Sequence, residues 1–213
     1  SLQDVQLPAL DKYLAAQGMK ILYTVPWQPQ GIYTKKPVNS VADMKGMKWR
    51  AYSPATSKMA ELMNLQPVTI QAAELSQALA TGVVETYISS SATGIDSKTY
   101  ESLKYFYENQ AWIPKNAVLI NLKAFNALDK ATQDAVTKAA ANAQARGWKI
   151  SEEKETAFKQ TLREKGMTVQ PPSATFAADM DKVGAVMLAD WEKKSAPQGA
   201  VLIADYRKLV PAK

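Results

Sequence analysis

The stretch MKWRAYSPATSKMAELMNLQPVTIQAAELSQALATGVVETYIS (47–89) alternates short strand-like runs with helical patterns, at a spacing that leaves few folds open. MKWRAY (47–52) alternates apolar and polar residues as a strand does. Ser53 then offers a capping oxygen, and Pro54 brings the fixed φ suited to a first helical position. QPVTI (66–70) reads as a second strand, QAAELSQALATG (71–82) as a helix stopped by Gly82, and VVETYIS (83–89) as a third strand. Strand, helix, strand, helix, strand at this spacing points to right-handed parallel crossovers, and so to an α/β fold.

The flanking sequence fits the same class. MKILYTV (19–25) is a buried-type strand, and PWQPQG (26–31) is an irregular turn because of its prolines and glycine. Ser40 can cap the short helix VADMKG, with Gly46 as its stop. NAVLINLKAFNAL (116–128) holds a buried strand running into a helix start. Residues 129–166 then continue with Gly147 as the only interior glycine before the closing Gly166. A helix of that length exceeds the needs of one small domain and is expected to bridge two lobes. MTVQPP (167–172) reads as a strand and 174–195 as a helix with an apolar face; Trp49, Trp191, Met59 and Met63 are expected in the core.

Composition removes whole classes of chemistry. The chain has no histidine and no cysteine, which excludes imidazole bases, thiolate nucleophiles, Cys/His zinc sites and disulfides. The net charge of +6 is spread over lysines that sit beside acids, as in SEEKETAFKQTLREKG (151–166), so a nucleic-acid stripe is not expected. No phosphate-loop or dinucleotide fingerprint occurs, no carboxylate-rich calcium loop is evident, and no cofactor or metal is expected. Glu61, Glu74 and Glu85 are the carboxylates available to an enzyme, but no spacing pairs them as acid and base. The start, SLQDVQLPAL, is not a signal peptide, and the chain is expected to begin inside a longer precursor whose signal peptide has been removed.

The segment SVADMKGMKWRAYSPATSKMAELMNLQPVTIQAAELSQALATGVVETYISS (40–90) resembles the solute-binding proteins of TRAP-type (tripartite ATP-independent periplasmic) transporters. The elements that carry the likeness are D-x-K-G-x-K-x-R, a following P-V, and E-L-x-x-A-L-x-x-G-V-V-[DE]. PKNAVLINLKAFNALDKATQDAV (114–136) extends it, and the resemblance covers about nine tenths of the chain in order.

The resemblance implies an α/β, two-lobed periplasmic binding protein fold, type II-like, with a long helix bridging the lobes, residues 1–27 and 116–155 as part of an incomplete first lobe, and 28–115 and 156–213 in the second. Hinges are expected near 27–30 and 113–117. It implies a periplasmic monomer, not an enzyme, that captures an organic acid and delivers it to the TRAP membrane permease subunits. A ligand-sensing module feeding a receptor is the alternative with the same fold. Arg50 stands in the K-x-R position that binds the ligand carboxylate in this family. Trp27, Gln30, Tyr52, Ser89, Ser90, Trp112 and Asn116 are the further candidate ligand contacts. Ser89 replaces the asparagine of some acidic-sugar binders, and PWQPQG lacks the second arginine of some relatives, so a monocarboxylate with an apolar or aromatic body is expected.

The residues themselves support the role of Arg50. At the carboxyl end of a parallel strand it faces the crevice where open α/β sheets bind ligands, beside the positive end of the helix begun by Pro54. A planar fork of donors there matches a carboxylate. The competing reading is a surface bridge from Arg50 to Glu85 or Asp43. Trp27 can equally plug the proline-rich turn, Ser53 can serve only its cap, and Ser89–Ser91 can be no more than a strand-to-turn run.

Overall fold

The computed structural model describes residues 2–209. In chain order they form α1 (Leu2–Ala15), β1 (Met19–Pro26), β2 (Gly31–Thr34), β3 (Lys48–Ala51), α2 (Pro54–Leu62), β4 (Gln66–Thr69), α3 (Leu75–Ala80), β5 (Thr86–Ser89) and α4 (Ser91–Asp96). Then follow β6 (Tyr105–Tyr107), β7 (Lys115–Asn121), α5 (Leu122–Asn126), α6 (Lys130–Glu164), β8 (Thr168–Gln170), α7 (Ala174–Lys194) and α8 (Gln198–Leu209). The chain divides into two compact units. Unit 1 takes residues 2–26, 115–150 and 188–209 of those described, and unit 2 takes 27–114 and 151–187.

In unit 1, β1 and β7 pair antiparallel from Met19↔Asn121 to Pro26↔Lys115, with a register shift between Ile21 and Tyr23. The α6 helix seals β1 through polar contacts: the Thr24 amide donates to Gln144 Oε1 at 2.9 Å, and the Trp148 indole donates to the Thr24 carbonyl at 2.9 Å. Gly147 permits this approach, because a Cβ there would lie 2.7 Å from Val25 Cγ2. Two sequence expectations fail in this unit. β7 is not a buried strand, since Val118 and Leu119 are exposed on a strand that, among the described residues, has β1 alone as its sheet neighbour. Trp191 is also exposed rather than core. The apolar stripe of α7 at Phe176, Met180, Val183 and Met187 rests on the core of unit 2, and Trp191 lies one turn past its end. Residues 188–209 likewise fall in unit 1, with α8 against α1, whereas the sequence reading puts all of 156–213 in the second lobe.

Unit 2 is built on a six-stranded sheet of order β4-β3-β5-β2-β6-β8. β3 is parallel to both β4 and β5, as the alternating helices require. β2, which carries no alternation and was not anticipated, inserts antiparallel between β5 and β6. Every residue of β2 and β5 is buried, which is why neither shows a half-polar pattern. One face of the sheet buries Trp49, Met59, Met63 and Phe176. The other buries Tyr33 stacked between Tyr87 and Phe106, with ring centroids 4.6 and 4.4 Å away. Each aromatic ring adds a large apolar area to the core, and each stack adds about 0.5–1.5 kcal/mol to that burial.

Candidate functional site

The carboxyl ends of β3 and β5 lie side by side, with Arg50 opposite Tyr87 in the parallel register. The reason is local. Ser53 is extended (φ −156°, ψ 161°), its hydroxyl accepts from the Thr56 amide at 3.2 Å, and Pro54 starts α2 immediately after β3 ends. Ser53 therefore performs the cap that its sequence position offers.

Arg50 is only 4% exposed. Its Nε donates to the Ile70 carbonyl at 3.0 Å, and its guanidinium carbon lies 4.9 Å from the Tyr52 ring centre. Neither suspected carboxylate pairs with it. Glu85 accepts from the Lys48 amide at 3.1 Å, and Asp43 accepts from the Asn39 and Ser40 amides at 2.8 and 3.0 Å. Among the described residues no acid lies within ion-pair reach of Arg50, and its two Nη groups have no hydrogen-bond partner. Burial pulls its pKa below the ordinary value, with the Tyr87 and Tyr52 hydroxyls acting the other way. An arginine keeps its charge at neutral pH all the same. The result is a largely buried cation whose fork no protein group among the described residues occupies, an arrangement open to an anion.

The other candidates divide into groups. The Tyr52 hydroxyl is hydrogen-bonded by the Trp112 side chain. The Trp112 carbonyl accepts from the Gln30 amide at 2.9 Å, so Arg50, Tyr52, Trp112 and Gln30 form one chain of contacts within unit 2. The Gln30 side chain is buried and donates to the Gln28 carbonyl at 2.9 Å. Trp27 is partly exposed, and its amide donates to the Pro114 carbonyl at 2.8 Å. Ser89 is buried at the end of β5, opposite Gly31. The Ser90 hydroxyl caps α4 by accepting from the Thr93 amide at 3.1 Å, and the Ser90 carbonyl accepts from the Tyr33 hydroxyl at 2.9 Å. Asn116 stands apart: it is an exposed residue of β7, opposite Val25 in unit 1.

Two residues of this region escaped the sequence reading. Tyr87 faces Arg50 only through the β3–β5 register, which periodicity does not fix. Glu155, on α6, accepts from the Ser91 hydroxyl at 2.5 Å across 64 residues of sequence, with no local signal to announce it. Among the described residues no group of three or more His, Cys, Asp or Glu side chains could hold a metal, and no helix is long and apolar enough to cross a membrane.

A two-lobed α/β chain with an unpaired, buried guanidinium at the carboxyl ends of parallel strands has the form of a solute-binding protein. The chain belongs to the DctP family, bacterial extracellular solute-binding protein family 7, whose model matches residues 2–194. Proteins of this class are extracytoplasmic, periplasmic binding proteins rather than enzymes. The chain is similar to DctP6 of Bordetella pertussis, an extracytoplasmic solute receptor binding pyroglutamic acid. The two are 54% identical with a TM-score of 0.95, over 97% of this chain and 69% of that one. It is also similar to a TRAP solute-binding protein of a marine metagenome, specific for pyroglutamate and crystallised with the co-purified acid. There the identity is 38% and the TM-score 0.94, over 97% of this chain and 68% of that one. An uncharacterized protein of Haemophilus influenzae is 27% identical over 166 residues, 76% of this chain; the chain spans 50% of that relative's length.

Proposed function

We propose that the protein captures a small organic acid in the periplasm, pyroglutamate or a compact cyclic monocarboxylate like it, and delivers it to TRAP permease subunits. The observation that carries the reading is Arg50, buried, charged and with both Nη groups unpaired among the described residues. A carboxylate would take these two donors as a bidentate pair in a site shielded from water. Pyroglutamate has one carboxylate on a five-membered lactam, which agrees with the lack of a second arginine in 26–31. It replaces the expected apolar body by a ring with an amide edge. Within unit 2 the Tyr52 ring, Trp27 and Trp112 are the apolar surface for such a ring, and Ser89, Ser90 and the Gln30 side chain are the polar groups for its edge. Two relatives at 54% and 38% identity that bind pyroglutamate support the choice of acid.

The test is isothermal titration of the protein with pyroglutamate and a panel of organic acids, together with mass spectrometry of whatever denaturation releases from the purified protein. About one acid per chain is the expected stoichiometry. Absence of binding across the panel overturns the reading.

A further inference from the structure

On the far side of the β5–α4 junction from Arg50's strand, a charged network sits in unit 2 that the proposed carboxylate contact does not use. Lys159 Nζ is ion-paired with Glu108 Oε1 and, at 2.8 Å, with Glu155 Oε1. The three side chains are only 16–19% exposed. Glu155 spends its second oxygen on Ser91, whose side chain is fully buried and donates to it at 2.5 Å. Burial and the two carboxylates act in opposite directions on Lys159, and the net effect is a raised pKa, so the ammonium stays charged.

The segment this network grips is the one that ends β5. Ser89 closes the strand, the Ser90 carbonyl is held by Tyr33 and its hydroxyl by Thr93, and Ser91 is held by Glu155. Every anchor here except Glu155 belongs to the sheet or to α4 itself; Glu155 comes from α6. A hydrogen bond to an ionised acceptor is stronger than a neutral one, and Lys159 fixes the rotamer of the carboxylate that accepts it. A buried ion pair is a poor way to gain stability alone, because its desolvation offsets much of its attraction. What it supplies here is orientation.

We infer that Glu155 is a positioning residue for ligand binding: held by Lys159, which Glu108 holds in turn, it fixes Ser91 and thereby sets the backbone and side-chain directions of Ser89–Ser91 toward the bound acid. This inference rests on the reading of that segment as part of the organic-acid site. Glu155 itself touches no ligand; its effect passes through Ser91.

The experiment is titration of pyroglutamate into wild type, Ser91→Ala, Glu155→Ala, Glu155→Gln and the Ser91→Ala/Glu155→Ala pair, with thermal unfolding of each. Ser76→Ala serves as the control, since Ser76 donates to the Ser97 carbonyl at 2.9 Å in the same unit and has no part in the site. The expected result is a loss of about tenfold in affinity for each single alanine variant, and no further loss in the pair, because both cut one link. Glu155→Gln keeps an acceptor for Ser91 and is expected within about threefold of wild type, while Ser76→Ala lowers Tm without moving Kd. Ser91→Ala, the mildest change, keeps the test available if Glu155→Ala does not fold. Wild-type binding with Ser91→Ala unchanged overturns this inference and leaves the binding function standing. A wild type that binds no acid at all overturns the function, and this inference with it.

Discussion

The guanidinium carbon of Arg50 lies 4.9 Å from the centre of the Tyr52 ring, and the Tyr52 hydroxyl is hydrogen-bonded by the Trp112 side chain. One contact steadies the cation, and the other ties its aromatic support to the stretch that leads out of unit 2 at Pro114. Arg50 also has a single protein hydrogen-bond acceptor among the described residues, the Ile70 carbonyl. An anchor held at Nε and at its face, with its fork unused, is preorganised for a planar anion.

Arg50→Ala removes the fork and is expected to weaken organic-acid binding by about 2–5 kcal/mol, roughly 30-fold to several-thousand-fold, because the buried carboxylate is left unpaired. Arg50→Lys keeps a charge but loses the bidentate geometry and should fall between the two. Folding stability of Arg50→Ala should stay within about 1 kcal/mol of wild type, since the lost bond to Ile70 is offset by the removal of a desolvated charge. Titration calorimetry beside urea unfolding reads both quantities. An unchanged Kd for Arg50→Ala refutes the assignment of the site.

Tyr52 separates its two contacts by substitution. Tyr52→Phe keeps the ring over Arg50 and deletes the acceptor for Trp112, so its affinity should lie within about threefold of wild type. Tyr52→Leu removes the ring, and a cation–π contact over a desolvated cation is worth about 1–2 kcal/mol, so binding should weaken by about 5- to 30-fold. Equal affinities for the two variants would show that the ring contributes nothing through its π face.

Two fully buried tyrosines, Tyr33 and Tyr87, are expected to contribute to the loss of stability at alkaline pH. Burial pushes Tyr33 well above the ordinary tyrosine range, with Tyr87 and Glu155 adding to the shift, and burial raises Tyr87 as well. A group whose pKa is raised on folding stays protonated in the native state while the unfolded chain loses its proton. Its contribution is therefore intact below about pH 10 and is lost as pH climbs from there toward the native value. Urea midpoints are expected to fall steeply above about pH 10, and tyrosinate absorbance should show Tyr33 and Tyr87 silent until the protein unfolds. Tyr87→Phe should flatten the decline; a decline of unchanged steepness would assign it to other groups.

The legible and the illegible parts of this chain differ in the range of the interaction that forms them. β3, α2, β4 and β5 follow from the succession of short strand-like runs and helical patterns, a cap at Ser53 and a stop at Gly82, all written within a few residues, and the parallel order follows from the helices between them. GIYT and YFY carry no such signal. β2 exists between antiparallel β5 and β6, and β6 between antiparallel β2 and parallel β8, where core side chains cover both faces of the sheet. Arg50 stood out from its place in a motif, but its freedom from Glu85 and Asp43 did not, because both acids turn back to nearby backbone amides. The link from Ser91 to Glu155 depends on where α6 packs, which no local pattern encodes. Trp191 shows the converse error: a helical stripe predicts a buried face, not how far the core beneath it extends.

Gly147 provides a test in which two local rules oppose each other. Within α6, alanine is favoured over glycine by about 1 kcal/mol on backbone grounds, so Gly147→Ala would be stabilising on an isolated helix. Here the new Cβ would meet Val25 Cγ2 at 2.7 Å and Cγ1 at 3.2 Å. Val25 is β-branched, stiff at χ1 and held in the β1 ladder, so it cannot yield cheaply, and overpacking of this kind costs about 1–3 kcal/mol. Gly147→Ala is therefore expected to lower stability by about 1 kcal/mol in the wild-type background. In a Val25→Ala background the obstruction is gone, and the same substitution should raise stability toward the helix-propensity value. Urea unfolding of the four proteins in this cycle measures the difference. If Gly147→Ala stabilises both backgrounds equally, the close approach of α6 to β1 is not what requires glycine at this position.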